Sequence, residues 1–316
     1  AGSDARRPVA DHYIVYLSGV GRSSGEERVE KEENFLNMVE TALPGFVMVR
    51  DVFPYSVSNT PLTEMRPLQA MWRGIPRLAR RSRRLMIFYH IIFFRNLLQV
   101  LVSRDTRYGR AYSYGIAKEM LRGLLRHGYR LDQPRPVTVL CISGGGQTSQ
   151  AAAPYLRAWL GAPIRIISVG SVLGDDEGTL DVEHIYHLSG SQDATQYLGR
   201  LLTPGFWPVF PNSAWHRFVR AGRYTEIPIG PMHHMGYGDY FSRSVKLADG
   251  TPFVRKTADV VIHLLKENAR LRPGLAGERS TAGPRLSFNT GHGFAEQPEQ
   301  ANIAPANGCR SHAGEG

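Results

Sequence analysis

The sequence predicts an α/β fold in which a mostly parallel sheet is covered by helices on both faces. Six short apolar runs are separated by longer polar or amphipathic stretches, which is the pattern of strands alternating with helices. The runs are apolar along most of their length, as in strands that are buried on both faces of a sheet. With 316 residues and 42% hydrophobic content, the chain can bury one sizeable core.

The first part of the chain supplies two strands and two helices. Residues 12–21 form an apolar run that ends in glycines, which predicts a buried strand. A helix follows, with Ser24 as N-cap, acidic residues in its first turns and Gly45 as its stop signal. The next predicted strand covers 46–53. After a long insertion, the spacing of leucine, isoleucine and methionine predicts an amphipathic helix over 113–127.

The second part continues the alternation. We expect the third strand at 136–142, a helix at 147–160, and three further strands at 163–172, 184–190 and 223–230. Together these elements predict one domain over 11–265. Residues 266–316 are rich in Gly, Ala, Pro, Glu and Arg with few large apolar side chains, which predicts a disordered tail.

The predicted insertion at 60–110 carries the charge excess of the chain. Eleven arginines and one acid lie between Arg66 and Arg110, which matches the net charge of +10 of the whole chain. The densest part of this cluster leads into an apolar run over 85–102 and contains Arg73, Arg77, Arg80, Arg81, Arg83 and Arg84. The run has the length of a membrane span, but Arg95 near its middle opposes insertion by about 2.5 to 3.5 kcal/mol.

Two interpretations of the insertion remain open. It is either a helix packed on the sheet with solvated arginines, or a lid that also contacts an anionic membrane surface. Nucleic acid is not expected as a partner, because the aromatic residues lie beyond the arginine cluster and are not interleaved with it. The location of the protein stays open between the cytoplasm and the periphery of a membrane.

The most informative motif surrounds Ser143. An apolar strand meets this serine, three glycines follow it, and a helix begins directly afterwards. A serine on a sharp strand-to-helix turn, with small residues two positions before (Cys141) and after (Gly145), is typical of a nucleophile elbow. A phosphate-binding loop fits less well, since the lysine of a P-loop and the spacing of a dinucleotide fingerprint are missing.

A nucleophilic serine needs a general base and an acid that orients the base. Asp193 lies just beyond the fifth predicted strand, where an acid would project over the end of the sheet. Asp175 and Asp176 end the preceding strand and are the alternatives. For the base, the loop after the last strand offers His233 and His234, of which we favour His234 because it lies two residues before Gly236.

An acyl-transfer site also needs backbone amides that stabilise the developing oxyanion. The amide of Gly144, directly after the serine, is the first expected donor. The second should come from the loop after the first strand, at Val20 or Gly21. A metal held by His233, His234 and Asp239 is not favoured, because adjacent histidines point apart and the set has no recognised ligand spacing.

These motifs together resemble the α/β-hydrolase family, and in particular its lipase/esterase branch. LSGVG matches the oxyanion-loop region, CISGGG the elbow, SGSQD the acid turn and GPMHHMG the histidine loop. Residues 96–129 resemble a group of poorly characterised bacterial hydrolase-like proteins, some of them attached to membrane segments. Cys141 departs from the glycine that is common at its position. The resemblance implies hydrolysis of a carboxylic ester or a related acyl bond, without a cofactor.

The sequence therefore predicts a serine hydrolase that uses Ser143, His234 and Asp193 on a small-molecule or lipid-like acyl substrate. Two alternatives remain. In the first, the chain is a catalytically inactive hydrolase-fold module that binds a membrane or a partner. In the second, the same site transfers the acyl group to an acceptor other than water, as in acyltransferases and thioesterases.

Overall fold

The computed structural model of the protein describes residues 10–19, 30–52 and 109–270. Within these ranges six strands form a single sheet in the order β2-β1-β3-β4-β5-β6, and every neighbouring pair is parallel. The strands are β1 (His12–Leu17), β2 (Phe46–Val49), β3 (Val137–Ile142), β4 (Ile164–Val169), β5 (His184–Gly190) and β6 (Tyr224–Gly230). The predicted mostly parallel sheet is confirmed.

Six α-helices accompany this sheet in the described residues. They are α1 (Glu30–Thr41), α2 (Gly109–Arg126), α3 (Gly145–Leu160), α4 (Tyr197–Leu202), α5 (Ala214–Arg220) and α6 (Phe253–Arg270). Short 3-10 helices occupy Glu177–Asp181 and Pro204–Phe206. Helix α6 passes the predicted domain boundary after residue 265 and ends at Arg270, and the remainder of the predicted tail lies outside the described residues.

Strands β1, β3, β4 and β5 are buried on both faces, which explains their continuous apolar runs. On one face Tyr13, Val15 and Val139 belong to a core that also contains Ile116 of α2 and Leu156 of α3. The side chains between them in sequence point to the opposite face. There the hydroxyl of Tyr16 donates to Glu32 of α1, and Arg165 donates to the carbonyl oxygen of Asn268 in α6. Helices therefore cover both faces of the sheet, as predicted.

No helix in the described ranges is both long enough and apolar enough to cross a membrane. Most of the predicted insertion at 60–110, including the arginine cluster from Arg73 to Arg84 and the apolar run at 85–102, lies outside these ranges. The described part of the insertion is the start of α2 at Gly109.

The parallel arrangement decides where a site can form. Because all six strands run in the same direction, the loops that follow β1, β3, β5 and β6 leave the same edge of the sheet. These four loops carry the predicted oxyanion donors, serine, acid and histidine, which are far apart in sequence. Ligand sites in open α/β sheets occur at this edge.

Candidate active site

The turn between β3 and α3 holds Ser143 in a backbone conformation that few residues adopt. Its φ angle is +55°, and among the described residues it is the only non-glycine residue with positive φ. Such a conformation is strained and needs support from its surroundings. The carbonyl oxygen of Ser143 accepts hydrogen bonds from the amides of Gly146 (3.2 Å) and Val172 (3.0 Å). The serine is partly exposed at the end of the sheet.

Glycines after the serine allow the strand and the helix to approach closely. A Cβ atom on Gly145 would lie 2.9 Å from the carbonyl oxygen of Leu17, and one on Gly146 would lie 2.5 Å from Cβ of Ser171. Both distances are too short for a real side chain. Gly145 and Gly146 are therefore required by the packing of α3 against the ends of β1 and β4.

The position of Cys141 has room for a side chain, whereas a glycine is common there in the family that the sequence resembles. Its thiol is fully buried, and the hydroxyls of Ser149 and Ser171 approach its Sγ at 3.7 Å. Burial raises the pKa of the Cys141 thiol to about 11, partly offset by these two hydroxyls. The cysteine is therefore a neutral packing residue behind the turn that carries Ser143.

His234 joins Ser143 to Asp193. Its Nε2 lies 3.0 Å from Oγ of Ser143, and its Nδ1 lies 3.0 Å from Oδ2 of Asp193. In the tautomer with the proton on Nδ1, the ring donates to the carboxylate and accepts from the serine hydroxyl. The side chains of His234 and Asp193 are 9% and 0% exposed, so the chain of contacts is shielded from water. The structure thus brings together the three residues selected from the sequence.

The carboxylate of Asp193 is held by three donors. The amide of Thr195 donates to Oδ1 at 2.9 Å, whereas the hydroxyl of Tyr240 and the ring of His234 share Oδ2 at 2.9 and 3.0 Å. Burial favours the neutral acid, but the hydrogen bonds from His234, Tyr240 and Thr195 outweigh it and hold the pKa of Asp193 below its ordinary value. Asp193 is therefore an anion that can stabilise a protonated imidazole.

The sequence reasoning missed Tyr240. This residue is fully buried, donates to Asp193 and accepts from the amide of Gly190 at 2.9 Å. Burial and the neighbouring carboxylate raise its pKa, so the phenol stays protonated and acts as a donor. Its ring packs on Gly170, where an added Cβ would lie only 2.4 Å from Cε2 of the tyrosine. The one available signal was its place in the histidine loop, two residues after Gly238.

The alternative acids, Asp175 and Asp176, bind backbone amides outside the candidate site. Oδ1 of Asp175 accepts from the amide of Trp215, and Oδ1 of Asp176 accepts from the amide of Gly178, each at 2.7 Å. Both carboxylates cap neighbouring turns or helices, as aspartates commonly do. The carboxylate that His234 contacts is that of Asp193.

The two adjacent histidines diverge, as expected for neighbours in an extended loop. His233 is exposed and its amide donates to the carbonyl oxygen of Gly238, whereas His234 turns inward to the serine.

A second residue that the sequence reasoning missed stabilises this loop. Nζ of Lys31, from α1, donates to the carbonyl oxygen of Gly236 at 3.1 Å and to Oδ2 of Asp239 at 2.7 Å.

The loop after β1 passes directly beside the serine. A Cβ atom on Gly19 would lie 3.1 Å from Cβ of Ser143, so this glycine allows the close approach. The predicted donor Gly144 is buried and serves as N-cap residue of α3, where backbone amides favour negative charge. The other predicted donors, Val20 and Gly21, lie outside the described residues.

Within the described ranges, no group of three or more His, Cys, Asp or Glu side chains is arranged to hold a metal ion. Asp239, the carboxylate nearest to His233 and His234 in sequence, forms an ion pair with Lys31. The site in these ranges is therefore built from a hydroxyl, an imidazole, a carboxylate and backbone amides.

No protein-family model matches the chain, and no curated protein is significantly similar to it. A parallel α/β sheet hosts many unrelated activities, so the fold alone does not assign one. Function is therefore inferred from the geometry of the site.

Proposed function

We propose that the protein is a serine hydrolase of the α/β-hydrolase type that acts on a carboxylic ester or a similar acyl substrate. One observation carries this proposal, namely the continuous contact from Oγ of Ser143 through the ring of His234 to Oδ2 of Asp193. The strained conformation of Ser143 adds support, because strain at one non-glycine residue persists where function requires it. The order serine, acid, histidine along the chain is that of α/β-hydrolases.

In the first half of the reaction, Oγ of Ser143 attacks the carbonyl carbon of the substrate. Nε2 of His234 takes the serine proton, and Asp193 stabilises the resulting imidazolium. The amide of Gly144 donates to the oxyanion of the tetrahedral intermediate. When the intermediate collapses, His234 returns the proton to the leaving alcohol, and an acyl-serine is left.

In the second half, water gives a proton to His234 and attacks the acyl carbon. Collapse of the second intermediate releases the carboxylic acid and returns the proton to Ser143. The same site would transfer the acyl group to another alcohol, amine or thiol if such an acceptor replaced water. The difference lies in the acceptor and not in the three side chains.

The proposal is tested with a fluorophosphonate probe, which reacts with an activated serine. Ser143→Ala should abolish labelling. Two matched pairs test the other roles: His234→Ala against His233→Ala, and Asp193→Asn against Asp176→Asn. We expect the first member of each pair to slow labelling by about 10³-fold or more, and the second member to leave the rate within about twofold.

Labelling that persists in Ser143→Ala would remove the proposal, and so would equal effects of the two histidine variants. Wild-type protein that folds but never reacts with the probe would favour the inactive module instead. If the protein is labelled, a panel of p-nitrophenyl esters of increasing chain length separates hydrolysis from transfer. Release of free acid without an added acceptor indicates hydrolysis.

A further inference from the structure

Large apolar side chains are exposed on one side of the candidate site. The described residues contain twelve such side chains, and six of them lie in α4 or in the segment that directly follows the second 3-10 helix. We define the apolar rim by these residues, which are Tyr197, Leu201, Leu202, Trp207, Val209 and Phe210. The most exposed are Val209 (73%), Leu201 (68%) and Leu202 (61%). A concentration of exposed apolar groups of this kind marks an interaction surface.

The apolar rim lies at the edge of the sheet where the site is built. Tyr197 follows Asp193 by four residues, and the amide of Tyr197 donates to the carbonyl oxygen of Ala194 in the acid turn. The loop that carries His234 adds Met235 and Tyr237, which are 65% and 82% exposed. Docking through the rim would therefore place the entrance of the site against the docked surface.

The rim is held in place by hydrogen bonds and prolines. Nε1 of Trp207 donates to the carbonyl oxygen of Arg200, which ties the indole to α4. Pro204, Pro208 and Pro211 limit the backbone freedom of the segment. Apolar side chains on a restrained backbone lose little entropy when they bind, which favours insertion.

Within the segment that carries the rim, every charged side chain is an arginine. Residues 194–223 contain four arginines and no aspartate or glutamate. Arg220 lies next to the rim, since its Nη1 donates to the carbonyl oxygen of Pro211. Arg200 and Arg217 form exposed ion pairs with Glu226 and Glu177, which contribute little and can be exchanged for other anions. An apolar surface bordered by arginine complements the headgroups and acyl chains of an anionic bilayer.

We propose that the apolar rim docks on an anionic phospholipid bilayer, with its leucine, valine and aromatic side chains among the acyl chains and the arginines at the headgroups. A second copy of the chain is the competing occupant of this surface, and the measurement below distinguishes it from a bilayer. Binding of the bilayer does not depend on the proposed chemistry, so Ser143→Ala should bind as the wild type does.

The test is co-flotation of the full chain with vesicles of phosphatidylcholine in which about a third of the lipid is replaced by phosphatidylglycerol. The rim variant replaces Leu201, Leu202, Val209 and Phe210 by Ser. We expect its partition coefficient to fall by about tenfold or more. The matched control is Leu125→Ser with Leu131→Ser, which are 44% and 47% exposed and precede β3 at the opposite edge of the sheet. The control should bind as the wild type does.

Folding of both variants is checked by circular dichroism and thermal unfolding. Undiminished binding of the folded rim variant would overturn the proposal and would assign any membrane affinity to another part of the chain. If the wild type binds vesicles of phosphatidylcholine alone as well as the anionic vesicles, the electrostatic part of the proposal is overturned. If neither the wild type nor the rim variant binds any vesicle, the whole proposal is overturned. A wild-type dimer that the rim variant converts to monomer, without vesicle binding, would show that a second copy is the partner.

Discussion

Replacing Tyr240 by phenylalanine removes one hydroxyl from the surroundings of a buried carboxylate and changes little else. The hydroxyl donates to Oδ2 of Asp193 and accepts from the amide of Gly190, both at 2.9 Å. The ring is confined by Gly170, so the backbone cannot move in to replace the lost donor. The variant therefore leaves the carboxylate of Asp193 with one donor fewer and the amide of Gly190 without its hydroxyl acceptor.

The expected cost follows from these two contacts. A hydrogen bond to a charged group contributes about 1.5–3 kcal/mol and an orphaned buried amide costs about 1–3 kcal/mol, so we expect Tyr240→Phe to lower the free energy of unfolding by about 3 kcal/mol at pH 7. Because the donors hold the pKa of Asp193 below its ordinary value, the ionised carboxylate stabilises the fold above about pH 4 and loses this contribution as the pH falls. The difference in the free energy of unfolding between the variant and the wild type should therefore become smaller as the pH falls below about 4.

The measurement is urea unfolding followed by circular dichroism at pH 7 and below pH 4. The control is Tyr237→Phe, which removes the same atom from an 82% exposed tyrosine of the same loop and should change stability by less than about 0.5 kcal/mol. The reasoning fails if the two variants have the same urea midpoint at pH 7. It also fails if the loss in Tyr240→Phe is independent of pH.

Two further changes test the surroundings of the site. Lys31→Met removes the cation that binds Gly236 and Asp239 in the histidine loop. We expect fluorophosphonate labelling to become about three- to tenfold slower, while the free energy of unfolding changes by less than about 1 kcal/mol. The control is Lys118→Met, which removes an exposed lysine from α2. Burial lowers the pKa of His187 to about 4, so the unfolded chain binds the proton first and stability should fall as the pH drops from about 6.5 toward 4. By pH 5 this loss is about 2 kcal/mol, and His187→Gln should reduce the slope of unfolding free energy against pH; an unchanged slope would contradict the assignment.

Local patterns in the sequence predicted much of the sheet and the order of the loops that form the candidate site. Each strand is a short apolar run bounded by turn residues, and the serine, acid and histidine each follow their own strand. Parallel strands bring such positions to one edge, so placement along the chain was enough to select Asp193 and His234. Helix α6, which was not predicted, also carries a helical spacing of apolar residues at Val254, Ala258, Val261 and Leu265.

The supporting residues could not be predicted in the same way. Tyr240 lies 47 residues from the carboxylate that it binds, and Lys31 lies more than two hundred residues from the loop that it stabilises. Neither contact has a spacing or composition that marks it, because each depends on how separate elements pack. The role of Asp175 also depends on packing, since its partner Trp215 lies 40 residues away. Asp176, in contrast, binds the amide of Gly178 within its own turn.

Among the described strands, β6 is at the edge of the sheet and pairs only with β5, through a ladder that becomes irregular at Ser189 and Gly190. His234 follows this strand by four residues, whereas Ser143 leaves β3 in the middle of the sheet. Detachment of one edge strand would therefore withdraw the imidazole and leave the serine turn intact. The alignment of the three side chains therefore depends on the pairing of β6 with β5, and opening of this pair alone would cost less free energy than unfolding the whole domain.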